Sequence, residues 1–261
     1  MIRTLGIILL AVAGLRAAGD RPPLAPELTE FLKWYESYQG PIMPPDVLKA
    51  YQEHMTKSGV APEESQRRIG VVTTAVRAMP VEFTTLHFNK IYSSPNPPFR
   101  QEPSHFVMRM IEAVKPGAAL DVAMGQGRNA IYLASKGWTV TGYDLSDQGL
   151  RIAQDAAKKA GLSLETIKAT HNEFDYGKAR WDLIVETFAF TNLADAAYRK
   201  RIVESLKPGG MLLIEGFGGG SKNEMLEGFK DLHVVYYEDR DDISDWGMQK
   251  MRLTRLAVQK E

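Results

Sequence analysis

The sequence predicts an α/β fold: a doubly wound, seven-stranded, mostly parallel sheet with an antiparallel edge hairpin and an N-terminal helical appendage. Three features carry this expectation. From Ala118 onward, short apolar runs alternate with helical segments, the pattern of a parallel sheet covered by helices on both faces. One of these runs ends in "LDVAMGQGRNA", where two glycines one residue apart lead into a helix. The last two β-like runs, "LHVVYYED" and "MRLTRLAVQK", have no helix between them, so they are expected as an antiparallel pair at one edge.

Taken in order, the chain starts with "MIRTLGIILLAVAGLRAAGD". Arg3 precedes an apolar run of about a dozen residues, and small residues surround Ala17-Ala18-Gly19. This is the layout of a secretory signal peptide, and the run is short of the about 20 residues a membrane span needs. Residues 1–19 are therefore read as a signal peptide or membrane anchor, with a misassigned start or a buried helix as the alternative. Export to the periplasm or tethering follows from that reading, and a cytoplasmic chain from the alternative.

Residues 20–86 are expected as the helical appendage. Leu28, Phe31, Leu32 and Tyr35 fall on one helical face, and Gly40-Pro41 stops that helix. A second helix holds Leu48, Tyr51 and Met55; a third starts at Pro62-Glu63-Glu64 with Ile69, Val72 and Val76 on its face. "FNKIYSSPNPPFRQEPSHF" holds four prolines and is expected as a stiff extended loop carrying Phe88, Tyr92, Phe99 and Arg100. Long irregular loops often act as lids, so this one is expected to cover a cleft. Pro103 then opens a helix reaching Val114. Residues 87–261 form the sheet domain, with strand candidates "ALDVAM", "WTVTGYD", "LETIKA", "WDLIVETF" and "MLLIEGF" and helices at 128–136, 147–160 and 194–206.

Composition excludes several functions. Lys plus Arg equals Asp plus Glu, 32 each, so nothing in the overall charge favours a nucleic-acid partner. There is no cysteine, which rules out disulfides, thiolate metal sites and cysteine nucleophiles. His54, His87, His105, His171 and His233 lack metal-ligand spacing, and no metal is expected. The remaining expected partner is a small molecule.

The glycine stretch carries the chemistry. A strand running through glycines into a helix places ligand at the helix N-terminus, and Gly125 and Gly127 let backbone approach it. G-Q-G-R-N-A also fits the dinucleotide fingerprint. Asp121, four residues before Gly125, argues against a pyrophosphate, which it would repel, and for a ligand bearing a cation. An unpaired buried carboxylate costs several kcal/mol, so a partner is expected. Asp144 ends the next strand about 20 positions on, where an acid can accept ribose hydroxyls; the competing duty, capping the next helix, suits Ser146 better.

"LDVAMGQGRNAIYLASKGWTVTGYDLS" resembles class I S-adenosylmethionine-dependent methyltransferases, and within them the branch containing tellurite-resistance methyltransferases. The resemblance spans roughly Phe88 to Glu261, including "WDLIV", "LKPGGMLLIE" and the final hairpin. It implies that Asp121 and the backbone from Ala123 to Gly127 hold the methionine part of S-adenosyl-L-methionine. It also implies that Asp144 takes the ribose hydroxyls and that Leu145 packs on the adenine. The loop "ATHNEFDYG" would close over the adenine edge, and Glu186 and Thr187 would line the floor near the sulfonium. Two positions depart from the pattern. Ala123 stands where the family usually has glycine, and Thr170 where its loop often has aspartate; His171 still offers a backbone N–H.

The resemblance implies methyl transfer to a small nucleophile: a thiol, a chalcogen anion or a hydroxyl. A thiol or chalcogen anion needs no base, whereas a hydroxyl must lose its proton. Glu186 is the candidate base, against capping or plain solvation; Tyr92 either touches the cofactor or packs in the core. Competing readings are a catalytically weak binding domain, motivated by Ala123 and Thr170, and a nicotinamide oxidoreductase, motivated by the fingerprint alone.

Overall fold

The computed structural model describes residues 23–218 and 223–261; the leader expected at residues 1–19 lies outside them. The chain divides into two compact units between Lys90 and Ile91.

In the first unit, α1 (Pro26–Ser37), α2 (Pro44–Lys57) and α3 (Pro62–Arg77) each have Pro among their first residues, where the missing N–H costs nothing and φ is preset. A fourth helix, α4 (Val81–Ser93), follows. The apolar spacing seen in the sequence is the spacing that is buried: Leu28, Phe31 and Tyr35 of α1, Val47, Tyr51 and Met55 of α2, Val72 and Val76 of α3, and Phe83 of α4 form one core. Each buried side chain of this size is worth about 1.5–3 kcal/mol. The Tyr35 hydroxyl bonds His87 Nδ1 at 2.9 Å inside this core, and burial lowers His87 to about 4.

Two expectations are corrected here. The segment from Phe88 was expected to be irregular, yet α4 continues to Ser93. The prolines begin only at Pro95, so nothing breaks the helix before that turn. Phe88 packs against the helical core rather than lining a cleft loop. The next helix, α5 (His105–Ile111), is shorter than expected and is capped by Ser104, whose side chain accepts from the Val107 N–H.

The second unit is a seven-stranded sheet in the order β3-β2-β1-β4-β5-β7-β6. Its strands are β1 (Ala118–Val122), β2 (Thr139–Asp144), β3 (Glu165–Lys168), β4 (Trp181–Thr187), β5 (Leu206–Phe217), β6 (His233–Ile243) and β7 (Lys250–Gln259). The first five run parallel; β7 pairs antiparallel with β5 and with β6. Helices α6 (Arg128–Ser135), α7 (Asp147–Lys159) and α8 (Ala196–Ser205) are the crossovers, and a short α9 (Glu224–Gly228) precedes β6. Leu120, Val122, Ile184, Leu212 and Ile214 point into one apolar layer, and Ala119, Leu183, Val185 and Leu213 into the other. Consecutive residues of a strand thus fill opposite faces, which is why the central strands read as unbroken apolar runs. At the antiparallel edge, Arg255 is held by Glu215 (2.6 Å), Glu238 (2.6 Å) and Asp242 (2.8 Å). No helix among the described residues is long and apolar enough to cross a membrane.

Candidate functional site

The strand order reverses between β1 and β4, so the carboxyl ends of these two strands flank the crevice where ligands of open α/β sheets bind. After β1 the chain makes a tight turn. Gly127 N–H donates to Met124 O (2.9 Å), Met124 N–H to Tyr143 O (2.9 Å) and Gly125 N–H to Asp144 Oδ2 (2.8 Å). Ala123, Gly125 and Gly127 all have positive φ, at 50°, 55° and 78°. For the glycines this is free; for Ala123 the left-handed conformation costs about 1 kcal/mol. A Cβ on Gly125 would lie 2.1 Å from the Tyr92 hydroxyl oxygen, and one on Gly127 would lie 2.7 Å from Ala153 Cβ. Only glycine fits either place.

Asp121 is buried at the end of β1, and its Oδ2 has no hydrogen-bond partner. The Ala130 N–H, in the first turn of α6, bonds the carboxylate. Burial raises this carboxyl to about 7, with the Arg128 charge pulling the other way. Arg128 does not close on it: its guanidinium is 2.8 Å from Asp245 Oδ2 and bonds Glu102 O. The helix N-terminus, where a dinucleotide's pyrophosphate would sit, is therefore already met by the chain's own carboxylate.

Asp144 is buried at the end of β2. It accepts N–H groups from Gly125 (2.8 Å) and Ser146 (2.7 Å), and Leu145 N–H also bonds it. Burial raises its carboxyl to about 6 against these bonds. Ser146 caps α7, accepting from Gly149 N–H at 3.0 Å, so capping is not the duty of Asp144. Leu145 is half-buried beside it. Burial and the nearby Asp144 charge hold the Tyr92 hydroxyl well above the ordinary tyrosine range, and its ring meets Phe99 at 5.3 Å.

The expected adenine loop is more committed to itself than the sequence suggested. Thr170 Oγ1 accepts from Glu173 N–H (3.1 Å), while Glu173 Oε2 accepts from Thr170 N–H (3.1 Å), a reciprocal capping box. The His171 ring is enclosed: Nδ1 meets the Tyr143 hydroxyl (2.7 Å) and Nε2 meets Ala189 O (3.1 Å). Burial lowers it to about 4. Since the carbonyl can only accept, Nε2 carries the hydrogen and Nδ1 accepts from Tyr143.

Glu186, at the end of β4, neither caps a helix nor faces solvent. It accepts from the Tyr198 hydroxyl at 3.0 Å and from the Thr191 hydroxyl, and burial raises it to about 8. With both oxygens occupied by these hydroxyls, neither is free to take a proton from an acceptor in this state. Thr187 Oγ1 accepts from Asn129 Nδ2 (2.8 Å), and Asn129 Oδ1 accepts from Ser104 N–H (2.9 Å). Thr187 is thereby tied to the start of α6. Among the described residues no three acidic or histidine side chains are arranged to hold a metal ion.

Sequence reasoning missed the aromatic set beyond β4. Phe188 was read as part of a strand, but β4 ends at Thr187 and Phe188 has φ 52°, with Phe190 at φ 55°. Phe99 and Trp246, from distant loops, pair with each other in an antiparallel bridge, and the Trp246 ring meets Phe190 at 5.7 Å. "TFAFT" after a strand end was the available signal; the contribution of Trp246 had none.

Comparison with known proteins agrees with this architecture. The model of the methyltransferase domain family matches residues 119–210, about a third of the chain, and over that stretch the chain is similar to class I, S-adenosylmethionine-dependent methyltransferases. It stands near the branch of the probable S-adenosyl-L-methionine-dependent methyltransferase TehB of Haemophilus influenzae, 29% identical over 84 residues that take in 32% of this chain and 29% of that protein. The crystal structure of TehB from the same organism superposes with a TM-score of 0.56 at 21% identity, covering 68% of this chain and 67% of that one. A 2-heptyl-1-hydroxyquinolin-4(1H)-one methyltransferase of Mycobacteroides abscessus is 26% identical over 118 residues, 43% of this chain and 52% of that protein. The match with each of the two curated relatives thus spans only about a third to a half of its length.

Proposed function

We propose that this chain transfers a methyl group from S-adenosyl-L-methionine to a small-molecule nucleophile. The observation that carries the reading is Asp121: a buried carboxylate with one oxygen unpartnered, on the strand that leads into the turn through Ala123, Gly125 and Gly127. The methionine end of the cofactor bears an ammonium, which satisfies that oxygen and lifts the cost of leaving it bare. The residues fit the rest of the molecule as well. Asp144 has about four acceptor sites and gives three to backbone N–H groups, so it holds about one ribose hydroxyl rather than both. Leu145 offers the adenine an apolar face. Thr170 Oγ1 gives one of its two acceptor sites to the capping box and keeps the other for the adenine amine, beside the backbone N–H of His171. Thr187, locked by Asn129, lines the floor beside β4, and Tyr92 closes the turn from above Gly125.

When bound, the cofactor supplies an activated methyl group, so the protein's work is to orient and to exclude water. Asp121 and Asp144 fix the two ends, and Tyr92 keeps solvent from the turn. No side-chain base is assigned, because both oxygens of Glu186 are engaged by the Thr191 and Tyr198 hydroxyls.

The test is titration calorimetry with S-adenosylmethionine and with NAD, in buffers of different ionisation enthalpy. Pairing with an ammonium draws Asp121 down from about 7. Binding at pH 7 should therefore release about half a proton, and Asp121→Asn should abolish that release. Tight NAD binding without binding of the sulfonium would overturn the reading.

A second reading keeps the cofactor site but not turnover. The left-handed Ala123 and the self-engaged Thr170 favour it, and cofactor binding without methyl transfer to any thiol, selenite or hydroxylated acceptor would establish it. For location, the signal-peptide-like layout of residues 1–19 supports export to the periplasm or tethering, and the alternative of a misassigned start supports the cytoplasm. Fractionation with N-terminal sequencing of the mature protein separates these.

A further inference from the structure

Six aromatic side chains run in sequence from the glycine turn to the end of β5. Tyr92 lies over Gly125 and meets Phe99 at 5.3 Å; Phe99 meets Trp246 at 5.3 Å, and Trp246 meets Phe190 at 5.7 Å. Phe190 and Phe188 then converge on Phe217, at 6.1 Å and 5.1 Å. Packing alone does not account for the set. Phe99, Phe188, Phe190, Phe217 and Trp246 all remain partly exposed, while the aromatic residues of the layer beneath, Tyr143, Phe174 and Tyr176, are buried.

The backbone presenting this wall is strained and pinned. Phe188 and Phe190 have φ 52° and 55°, a conformation that bulky residues adopt only when their surroundings enforce it. Here three bonds enforce it. Phe188 N–H donates to Glu215 O (2.7 Å), His171 Nε2 donates to Ala189 O (3.1 Å), and the Thr191 hydroxyl donates to Glu186. Ala189, between the two phenylalanines, is the residue that is buried. The enclosed His171 and Glu186 thus act as anchors that turn both rings toward Phe217.

Arg100 and Arg128 are both held by Asp245, at 2.9 Å and 2.8 Å, so each guanidinium is engaged by the chain's own carboxylate. Proton removal is not provided. Both oxygens of Glu186 are engaged by the Thr191 and Tyr198 hydroxyls, and both ring nitrogens of His171 are occupied. An acceptor suited to this setting brings its own acidity and an apolar face.

Resting on the cofactor reading above, we propose that the wall of Phe99, Phe188, Phe190, Phe217 and Trp246 is the acceptor subsite, and that it takes a flat aromatic ring bearing an acidic hydroxyl. In the transfer, a lone pair of the acceptor oxygen forms the bond to the methyl carbon. The carbon–sulfur bond breaks with its electron pair returning to sulfur, and the hydroxyl proton passes to water. Products are the aryl methyl ether and the neutral thioether of the cofactor.

The experiment uses the full chain, with 1-naphthol and sodium selenite as probes. Calorimetry measures naphthol binding with and without S-adenosylmethionine, and a labelled methyl group follows transfer. Naphthol should bind, its methyl ether should form, and Phe190→Ala and Trp246→Ala should each weaken naphthol binding about tenfold. Cofactor affinity should stay within twofold. Phe190→Leu, which keeps the apolar bulk without the ring, should reproduce the loss with an unchanged melting curve. Failure of naphthol to bind, equal binding by all variants, or selenite methylation untouched by them would overturn the proposal. If naphthol binds in the expected order but S-adenosylmethionine does not, the ring subsite stands and the cofactor reading alone falls.

Discussion

After β1 the chain turns through Ala123, Gly125 and Gly127, and after β4 through Phe188 and Phe190, every one of them at positive φ. The two turns are neighbours, since Val122 pairs with Glu186 across the strands. The first uses the smallest side chains, and the room they leave is taken by Tyr92 at Gly125 and by Ala153 at Gly127, beside a buried carboxylate whose Oδ2 is unpartnered. The second uses bulky side chains and builds a surface, with its carboxyl, Glu186, bonded to Thr191 and Tyr198. The left-handed conformation thus serves opposite ends at adjacent strands. At Asp121 one oxygen is left unmet, the place proposed above for the cofactor's ammonium; at Glu186 the polarity is met internally.

The sharpest way to break the comparison is to put bulk in the first turn. Gly125→Val adds a Cβ 2.1 Å from the Tyr92 hydroxyl oxygen at φ 55°. It should cost about 2–4 kcal/mol of stability and bring S-adenosylmethionine binding below detection by calorimetry. Next in size is Asp121→Asn, which keeps an acceptor for Ala130 N–H but removes a buried charge. Cofactor affinity should fall about 10–100-fold, while the melting temperature rises. A fall in both would mean that the carboxylate is structural.

The third test concerns Glu186. Its folded value is raised by burial to about 8 from 4.5, so the folded chain holds the proton more tightly than the unfolded one. Its contribution to stability is full below about pH 4.5 and is lost as pH rises through about 8. The fall is at most about 1.4 kcal/mol per pH unit. Asp121, raised to about 7, acts in the same direction. His171, lowered to about 4, acts oppositely, but its contribution is complete above its ordinary 6.5. Melting temperatures measured from pH 7 to 8.5 should therefore decline in the native chain and decline less steeply in Glu186→Gln, where Asp121 still titrates in the lower part of that window, whatever the variant's absolute stability. The smallest effect is Ala123→Gly. Relief of the left-handed strain, less the entropy of an added glycine, should stabilise by about 0.5–1 kcal/mol, with cofactor affinity unchanged or higher.

Much of this architecture was legible before any coordinates. Proline at helix starts, the 3.6-residue spacing of Leu28, Phe31 and Tyr35, and the alternation of apolar runs with helices are local signals, and each local element agreed with the whole. Helix ends were less legible. The end of α4 depended on the first proline lying at Pro95 rather than on the composition of the stretch. At the candidate site, Asp121, Gly125, Gly127 and Asp144 could be singled out because strand–turn–helix spacing fixes where they stand. Thr170, His171 and Glu186 could be singled out but not understood, because their partners are Glu173, Tyr143, Ala189, Thr191 and Tyr198, several of them distant in sequence.

The sequence by itself determined the order of strands and helices, the glycine turn and the presence of an acid where an unpaired charge is costly. These follow from backbone geometry and from the price of burying a carboxylate, and both act within a few residues. Only the tertiary structure decided which carboxylate is left bare and which is satisfied, and it alone joined Phe99, Phe188, Phe190, Phe217 and Trp246 into one surface. Those outcomes depend on side chains brought together across the carboxyl ends of β1, β4 and β5, and such meetings are set by packing rather than by spacing along the chain.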